Sequence, residues 1–139
     1  MNFSIIDDDE LYVFLIKKTL TKVAPIQFTN VFGNGLDAYN FIKENRENQD
    51  LLPDVLLLDL NMPIMDGWEF LEAYTKLKPT ICKPIAIYIC SSSISPDDVI
   101  AAENHIEVTD YIVKPLSKEK INQLLKTFNL STPPKNSSL

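Results

Sequence analysis

Short apolar segments alternate with longer amphipathic segments along this chain, and this alternation limits the folds that it can adopt. Strand-like apolar segments occur at residues 3–6, 26–32, 55–58, 85–90 and 110–113. Apolar residues then recur at helical spacing at residues 10–22, 36–42, 68–77, 96–105 and 117–128. Strands that alternate with helices in this way form a parallel sheet flanked by helices. The sequence therefore predicts an α/β fold.

The third strand-like segment indicates that helices cover both faces of the sheet. Val55–Leu58 is apolar at every position, whereas a strand with one wet face alternates apolar and polar residues. We therefore expect a doubly wound sheet.

The fourth helix has a clear predicted start, because Ser95 is a favoured N-cap residue and Pro96 is favoured in the first turn of a helix.

The chain has 139 residues, 45% of them hydrophobic, which is enough for one domain with a real core. We expect this domain at residues 1–130. Residues 131–139 begin with Ser-Thr-Pro-Pro and are predicted to form a disordered tail.

The charge balance excludes some classes of partner. The chain has 19 acidic and 13 basic residues and a net charge of −6, which argues against direct nucleic-acid binding. No apolar stretch reaches the roughly 20 residues of a membrane span. The start of the chain carries no charged leader, so we expect a cytoplasmic protein. Cys82 and Cys90 lack metal-ligand spacing, and Cys90 is predicted to be a buried free thiol.

Several polar residues follow the predicted strands directly. Asp7 and Asp8 follow the first strand, Asp59 follows the third, Ser91 the fourth and Lys114 the fifth. Ligands bind at the carboxyl ends of the strands in open α/β sheets. If the strands are neighbours, these side chains converge on one edge.

The converging residue types suit phosphoryl chemistry. Clustered carboxylates repel one another unless a cation neutralises them, and Mg²⁺ accepts one or two carboxylates together with water and phosphate. Lys114 would neutralise a phosphoryl group, and the hydroxyl of Ser91, Ser92 or Ser93 would donate to it. Taken singly, the aspartates suit a solvated turn or a helix cap, and Lys114 suits a surface position. Together they predict a phosphoryl-accepting site.

The segment Val-Leu-Leu-Leu-Asp-Leu-Asn-Met-Pro-Ile-Met-Asp-Gly at residues 55–67 resembles the phosphoacceptor strand and loop of response regulator receiver domains. The resemblance covers residues 3–128, and its stand-alone, chemotaxis-type members are the most similar. Asp7-Asp8, Ser91 and Lys114-Pro115 occur in the expected order. The resemblance implies a flavodoxin-like fold with five parallel strands in the order 2-1-3-4-5 and five helices.

The resemblance also implies a role for each site residue. Asp59 would be the phosphorylated aspartate. Asp8 and Asp59 would bind Mg²⁺ through carboxylates, Asn61 through its backbone carbonyl, and Asp7 mostly through metal-bound water. Lys114 would pair with the phosphoryl group, and the Lys114–Pro115 bond would be cis. The switch residues would be Ser91 and Tyr111, with Tyr111 turning inward on phosphorylation.

Two segments depart from the family pattern. The loop at residues 91–96 is about one residue longer than usual, so Ser92 is an alternative hydroxyl donor. Residues 107–110 lack the small pair that commonly precedes the fifth strand, so the turn there is expected to differ. Both departures concern the output face more than the acceptor.

We expect a single-domain response regulator of a two-component phosphorelay. A sensor histidine kinase or a histidine phosphotransfer protein would phosphorylate it, and its face formed by helix 4, strand 5 and helix 5 would bind an unknown protein target. It would be no enzyme beyond accepting and hydrolysing its own phosphoryl group. His105, the one histidine, is predicted to be a surface residue and not a phosphodonor.

Two alternatives belong to other classes. A haloacid-dehalogenase-type phosphatase also uses an aspartate at a strand end, but typically has a second acid where this chain has Asn61. A phosphorylation-independent scaffold would keep the fold and not the chemistry. The full set of acidic residues with Lys114 argues against it.

Overall fold

A computed structural model describes residues 1–23 and 26–131 of the chain. Five strands and five α-helices alternate, with one short 3₁₀ helix at Lys78–Thr80. The strands are β1 Asn2–Ile6, β2 Gln27–Phe32, β3 Val55–Leu58, β4 Ala86–Ser91 and β5 Val108–Val113. The helices are α1 Glu10–Val23, α2 Gly35–Glu44, α3 Gly67–Leu77, α4 Pro96–Glu103 and α5 Lys118–Ser131.

The strands form one parallel sheet in the order β2-β1-β3-β4-β5, which confirms the predicted doubly wound fold. Each face of the sheet has its own hydrophobic core. Leu56 and Leu58 of β3 pack with residues of α2, α3 and α4, whereas Val55 and Leu57 pack with residues of α1 and α5. The uniform apolarity of β3 thus reflects burial on both faces.

Some predicted details differ in the structure. Ser95 occupies the N-cap position of α4, but its side chain makes no capping hydrogen bond. The Ser93 hydroxyl instead donates to the Asp98 carboxylate at 2.7 Å. Helix α5 includes Ser131, three residues beyond its predicted end, and the rest of the predicted tail lies outside the described residues.

The turn before β5 is built around His105. The Val108 N–H donates to the His105 carbonyl at 3.1 Å, and the Glu107 N–H donates to His105 Nδ1 at 3.2 Å. The His105 side chain is 16% exposed, so it is half-buried at the end of α4 and less exposed than a surface residue was expected to be. His105 thus organises this turn through both its carbonyl and its ring nitrogen.

Cys90 is buried and Cys82 is exposed, and both are free thiols, as predicted for Cys90. In the described part of the chain, no helix has the length and apolarity that crossing a bilayer requires.

Candidate functional site

The register of the sheet places Asp7 and Asp59 side by side at the carboxyl ends of β1 and β3. Ile6 of β1 pairs with Leu58 of β3, so the two aspartates follow a matched pair. The Asp59 N–H extends the ladder by donating to the Ile6 carbonyl at 2.9 Å. The backbone therefore holds both acidic residues at the carboxyl edge, as the sequence pattern predicts.

The same edge receives Lys114 from β5. Ser91 of β4 pairs with Val113, and the Lys114 N–H donates to the Ser91 carbonyl at 2.8 Å. The Lys114–Pro115 peptide bond is cis, which confirms that prediction. Ser91 thus lies on β4, the neighbour of the strand that carries the acceptor candidate, and Lys114 follows β5, the next strand beyond β4.

Three carboxylates form a cluster at this edge. Asp7, Asp8 and Asp59 each place one oxygen within 4.8 Å of the others. Asp7 and Asp59 are buried, while Asp8 is exposed. The cluster could hold a metal ion, because hard divalent cations bind carboxylate oxygens. Asn61 is exposed two residues after Asp59, and the metal-ligand role of its carbonyl stays a prediction.

Lys114 is the cation that faces this cluster among the described residues. Its Nζ donates to Asp7 Oδ2 at 2.8 Å and lies 3.7 Å from Asp59 Oδ1. Burial lowers the pKa of Lys114, but the hydrogen bond to Asp7 and the charges of Asp7 and Asp59 outweigh it and raise the pKa above its ordinary value. The ammonium therefore stays protonated at neutral pH.

One ammonium does not neutralise the cluster. Burial and the neighbouring charge of Asp7 raise the pKa of Asp59 to about 6, against the opposing effects of Lys114 and of the Leu60 N–H. The Leu60 N–H donates to Asp59 Oδ1 at 2.9 Å. Asp59 is thus a carboxylate at neutral pH whose environment favours a further positive charge.

The loop after Asp59 is held close to the strand end by two glycines. A Cβ on Gly67 would lie 2.5 Å from the Asp59 carbonyl oxygen, and one on Gly35 would lie 2.8 Å from the Met65 carbonyl oxygen. The Gly35 N–H donates to that Met65 carbonyl at 2.9 Å. The absence of side chains lets the loop fold back against β3 and α2.

The structure distinguishes the two candidate serines. Ser91 is fully buried, and its Oγ accepts a hydrogen bond from the Ser93 N–H at 3.1 Å. Ser92 is exposed. Tyr111 is half-buried against the core, and its hydroxyl donates to the Ser93 carbonyl at 2.8 Å. A single loop residue, Ser93, therefore contacts both predicted switch residues.

One aspartate of the acidic run caps α1, a role that the sequence analysis had offered for this run, whereas the contact of Tyr12 with Lys114 was missed. The Asp9 carboxylate caps α1 by accepting the Tyr12 N–H at 3.0 Å. The Tyr12 ring lies beneath Lys114, with Nζ 4.1 Å from the ring centroid. Its signal in the sequence was its place one helical turn after the acidic run, which does not identify Lys114 as its neighbour.

With this geometry known, comparison with protein families is decisive. The family model described as "Response regulator receiver domain" matches residues 3–126. The chain belongs to this family. Membership confirms the predicted family and favours it over the haloacid-dehalogenase alternative. The narrower chemotaxis-type and stand-alone assignments stay predictions.

Curated relatives agree with this membership. The chain is 34% identical over 89 residues to "Two-component response regulator ORR1" of Oryza sativa subsp. indica, covering 64% of the chain and 37% of that protein. It is 27% identical over 124 residues to "Probable C4-dicarboxylate response regulator DctR" of Bacillus subtilis, covering 89% of the chain and 50% of that protein. The chain thus spans half or less of either relative.

Solved structures show the same fold. A two-component response regulator from Cytophaga hutchinsonii superposes with a TM-score of 0.83 at 25% identity, covering 94% of this chain and 97% of that one. The Mn(2+)-bound form of response regulator Rcp1 has a TM-score of 0.71 at 28% identity, covering 96% of each chain. This receiver domain is therefore a module of two-component signalling.

Proposed function

We propose that this receiver domain accepts a phosphoryl group on Asp59, from a phosphohistidine, with Mg²⁺ bound beside it. The observation that carries the proposal is the pairing of an under-neutralised buried carboxylate with the Lys114 ammonium 3.7 Å away. Phosphoryl transfer depends mainly on positioning and on neutralising charge, and this pair supplies both.

The donor set fits Mg²⁺. All three members of the cluster are carboxylates, and Mg²⁺ prefers such hard oxygen ligands. Asp8 and Asp59 would bind it through carboxylates, Asn61 through its carbonyl, and Asp7 through water. When bound, the cation supplies positive charge that neutralises the acidic cluster and the phosphoryl oxygens. The Mn(2+)-bound state named for the related Rcp1 supports a divalent cation here.

In the transfer step, an oxygen of the Asp59 carboxylate attacks phosphorus and forms a new P–O bond. The bond from phosphorus to the histidine nitrogen breaks, and the imidazole leaves with that electron pair. Lys114 pairs with the phosphoryl oxygens from its place beside Asp59. Water later attacks phosphorus, which releases inorganic phosphate and restores the carboxylate. The domain would thus slowly hydrolyse its own phosphoryl group, and we propose no enzymatic activity toward other substrates.

The switch would run through the loop after β4. The Ser91 hydroxyl is proposed to leave the Ser93 N–H and donate to the new phosphoryl group. Its burial at the strand end favours it over exposed Ser92. Tyr111 then follows the moving loop, because its hydroxyl already donates to the Ser93 carbonyl.

The proposed output face comprises α4, β5 and α5 and includes Tyr111 of β5. A groove of about 280 Å³ runs between β5 and α5, lined in part by Tyr111, Lys120 and Leu124. A protein target of unknown identity would bind this face. The phosphodonor would be a sensor histidine kinase or a histidine phosphotransfer protein, and we propose that the reaction takes place in the cytoplasm.

Intact-protein mass spectrometry tests the acceptor. Incubation with acetyl phosphate and Mg²⁺ should add about 80 Da to the wild type. Asp59→Asn should gain no mass. Asp54→Asn changes an aspartate at the opposite, amino end of β3, and it should gain the same mass as the wild type. Equal labelling of Asp59→Asn and the wild type would refute the acceptor assignment.

A second measurement separates a switch from a scaffold. Beryllofluoride with Mg²⁺ mimics the phosphoryl group, and it should shift the backbone amide resonances of Ser93 and Tyr111. Asp59→Asn provides the control, since it should show no shift. Unchanged resonances in the wild type would support the phosphorylation-independent scaffold.

A further inference from the structure

Tyr12 occupies a special position beside the proposed phosphoryl site. It lies in the first turn of α1, where the Asp9 carboxylate accepts its backbone N–H. The acidic run that provides the carboxylate cluster therefore also fixes the start of α1, and with it the position of Tyr12. Lys114 Nζ rests 4.1 Å from the centroid of its ring, well inside the range of a cation–π contact.

Three groups surround the Lys114 ammonium in this arrangement. Asp7 accepts its hydrogen bond at 2.8 Å, Asp59 lies at 3.7 Å, and the ring of Tyr12 provides an apolar, electron-rich face. A lysine has a flexible four-carbon side chain, so one hydrogen bond to Asp7 leaves its orientation toward Asp59 underdetermined. The aromatic face restricts that freedom.

The Tyr12 hydroxyl does not account for this placement. It is buried without a regular hydrogen-bond partner among the described residues, and the Cys90 thiol is the polar group beside it. Burial raises the pKa of Tyr12 above its ordinary value, so the ring stays neutral. The ring face, rather than the hydroxyl, is the part of Tyr12 that contacts the site.

We propose that Tyr12 is a positioning residue that holds the Lys114 ammonium against Asp59 through its aromatic face. The inference rests on the proposed phosphoryl acceptance at Asp59. Small displacements of a charge that meets the reacting atoms slow transfer strongly, so loss of the ring should slow phosphorylation.

The test compares the phosphorylation rates of matched variants with acetyl phosphate and Mg²⁺, followed by intact mass. Tyr12→Leu should react about three- to tenfold more slowly than the wild type, the range expected for a partly desolvated cation–π contact. Tyr12→Phe keeps the ring and should stay within about twofold of the wild type. A small donor is used so that docking of a kinase does not enter the rates.

Helix α1 also offers a matched control. Lys18 Nζ lies 4.7 Å from the centroid of the Phe14 ring, and Phe14 is 54% exposed. Phe14→Leu removes a lysine–aromatic contact from the same helix, away from the carboxylate cluster. It should leave the rate unchanged.

A spectroscopic measurement is independent of catalysis, and its result for the wild type does not depend on how the variants fold. A lysine held over an aromatic face has its ε-methylene protons shifted upfield by the ring current. The Lys114 ε-protons should show this shift in the metal-free wild type and in Tyr12→Phe, and should lose it in Tyr12→Leu.

The outcomes separate this inference from the proposed function. A wild type that gains no mass overturns phosphoryl acceptance itself. A wild type that is phosphorylated, with Tyr12→Leu equally fast, overturns only the positioning role. Tyr12→Phe as slow as Tyr12→Leu, or unshifted Lys114 ε-protons in the wild type, overturns it as well.

Discussion

The two edges of the sheet each hold a lysine–aspartate ion pair, and only one edge has the properties of a reactive site. At the amino edge Lys83 pairs with Asp54, and at the carboxyl edge Lys114 pairs with Asp7 and lies near Asp59. The residue types are the same. The difference is how completely each cluster satisfies its own charges.

The charges of the ion pair at the amino edge balance each other. Lys83 Nζ lies 3.2 Å from Asp54 Oδ1 and donates to the carbonyls of Gln49 and Leu52 at 2.8 and 2.7 Å. The Asn2 N–H donates to Asp54 Oδ2 at 2.8 Å. One positive charge meets one negative charge, and backbone groups satisfy the rest, so this cluster fastens the starts of β1, β3 and β4.

The carboxyl-edge cluster is not balanced. Asp7, Asp8 and Asp59 share one ammonium, and the pKa of Asp59 is raised to about 6 as burial and Asp7 oppose its charge. A charge excess, rather than the presence of an ion pair, therefore distinguishes the proposed phosphoryl site from the ion pair at the amino edge.

The largest expected difference between the edges concerns the two lysines. Lys114→Ala should slow phosphorylation by acetyl phosphate about 100-fold or more, because an ammonium that neutralises transferring charge is lost. Lys83→Ala should leave that rate unchanged and lower the free energy of unfolding by about 1–3 kcal/mol, since the carbonyls of Gln49 and Leu52 lose a charged hydrogen-bond donor. Mass spectrometry and urea unfolding measure the two effects. Comparable slowing in both variants would erase the distinction.

Replacing Asp59 and replacing Asp54 by asparagine should change the free energy of unfolding in opposite directions. In metal-free protein at pH 7, Asp59→Asn should raise the free energy of unfolding by about 1–3 kcal/mol, because it removes a charge that the folded state disfavours. Asp54→Asn should lower it by about 1 kcal/mol through weaker charge-assisted hydrogen bonds. Urea unfolding at pH 7 measures both.

The pH dependence of the Asp59→Asn gain follows from the raised pKa. The folded-state pKa of about 6 exceeds the ordinary value of 3.8, so the folded protein binds the proton more tightly. The cost of the charge is fully present above pH 6 and declines as the pH falls toward 3.8. The gain should therefore be largest at pH 7 and fall to about a fifth of that value near pH 4, just above the ordinary pKa of 3.8. A gain at pH 4 as large as that at pH 7 contradicts the charge explanation.

Magnesium should act on one edge only. At a free Mg²⁺ concentration ten times the dissociation constant, the wild type should gain about 1.4 kcal/mol of unfolding free energy. Asp54→Asn should gain as much, and Asp8→Asn clearly less. Thermal unfolding at constant ionic strength, with K⁺ replacing Mg²⁺, measures the gain. Equal stabilisation of Asp8→Asn and the wild type would place the cation elsewhere.

The smallest expected effect concerns backbone strain in the loops at the two edges. Ile64, in the loop after Asp59, has a φ of 69° and is 73% exposed. A β-branched residue is strained there, so Ile64→Gly should stabilise the fold by about 0.5–1 kcal/mol. Leu51, in the amino-edge loop, is 44% exposed without positive φ, and Leu51→Gly should destabilise by a similar amount. Urea unfolding that shows loss of stability in both variants would contradict the strain.

The sequence predicted the fold well because its patterns are local and repeated. Val55–Leu58 was predicted with its observed bounds, since a strand buried on both faces has no polar residue to blur its ends. The cap of α4 was predicted less well. Ser95 stands at the right position, but its hydroxyl makes no capping hydrogen bond, because residue types do not determine the side-chain rotamer on which that bond depends.

The candidate site was likewise predicted in part. That Asp7, Asp59 and Lys114 would meet at one edge followed from their places after predicted strands. The sequence did not predict that Tyr12 would lie beneath Lys114. Helical periodicity assigned Tyr12 to the apolar face of α1 without indicating which residues it would contact. Contacts between α1 and β5 join residues about a hundred positions apart.

The sequence by itself determined the order of strands and helices, the burial of β3 on both faces and the residues that leave the strand ends. Only the tertiary structure decided how charge is shared among those residues. Strand formation depends on neighbours in the chain, whereas the pKa of Asp59 depends on distances to Asp7 and Lys114 that exist only once β1, β3 and β5 stand in register.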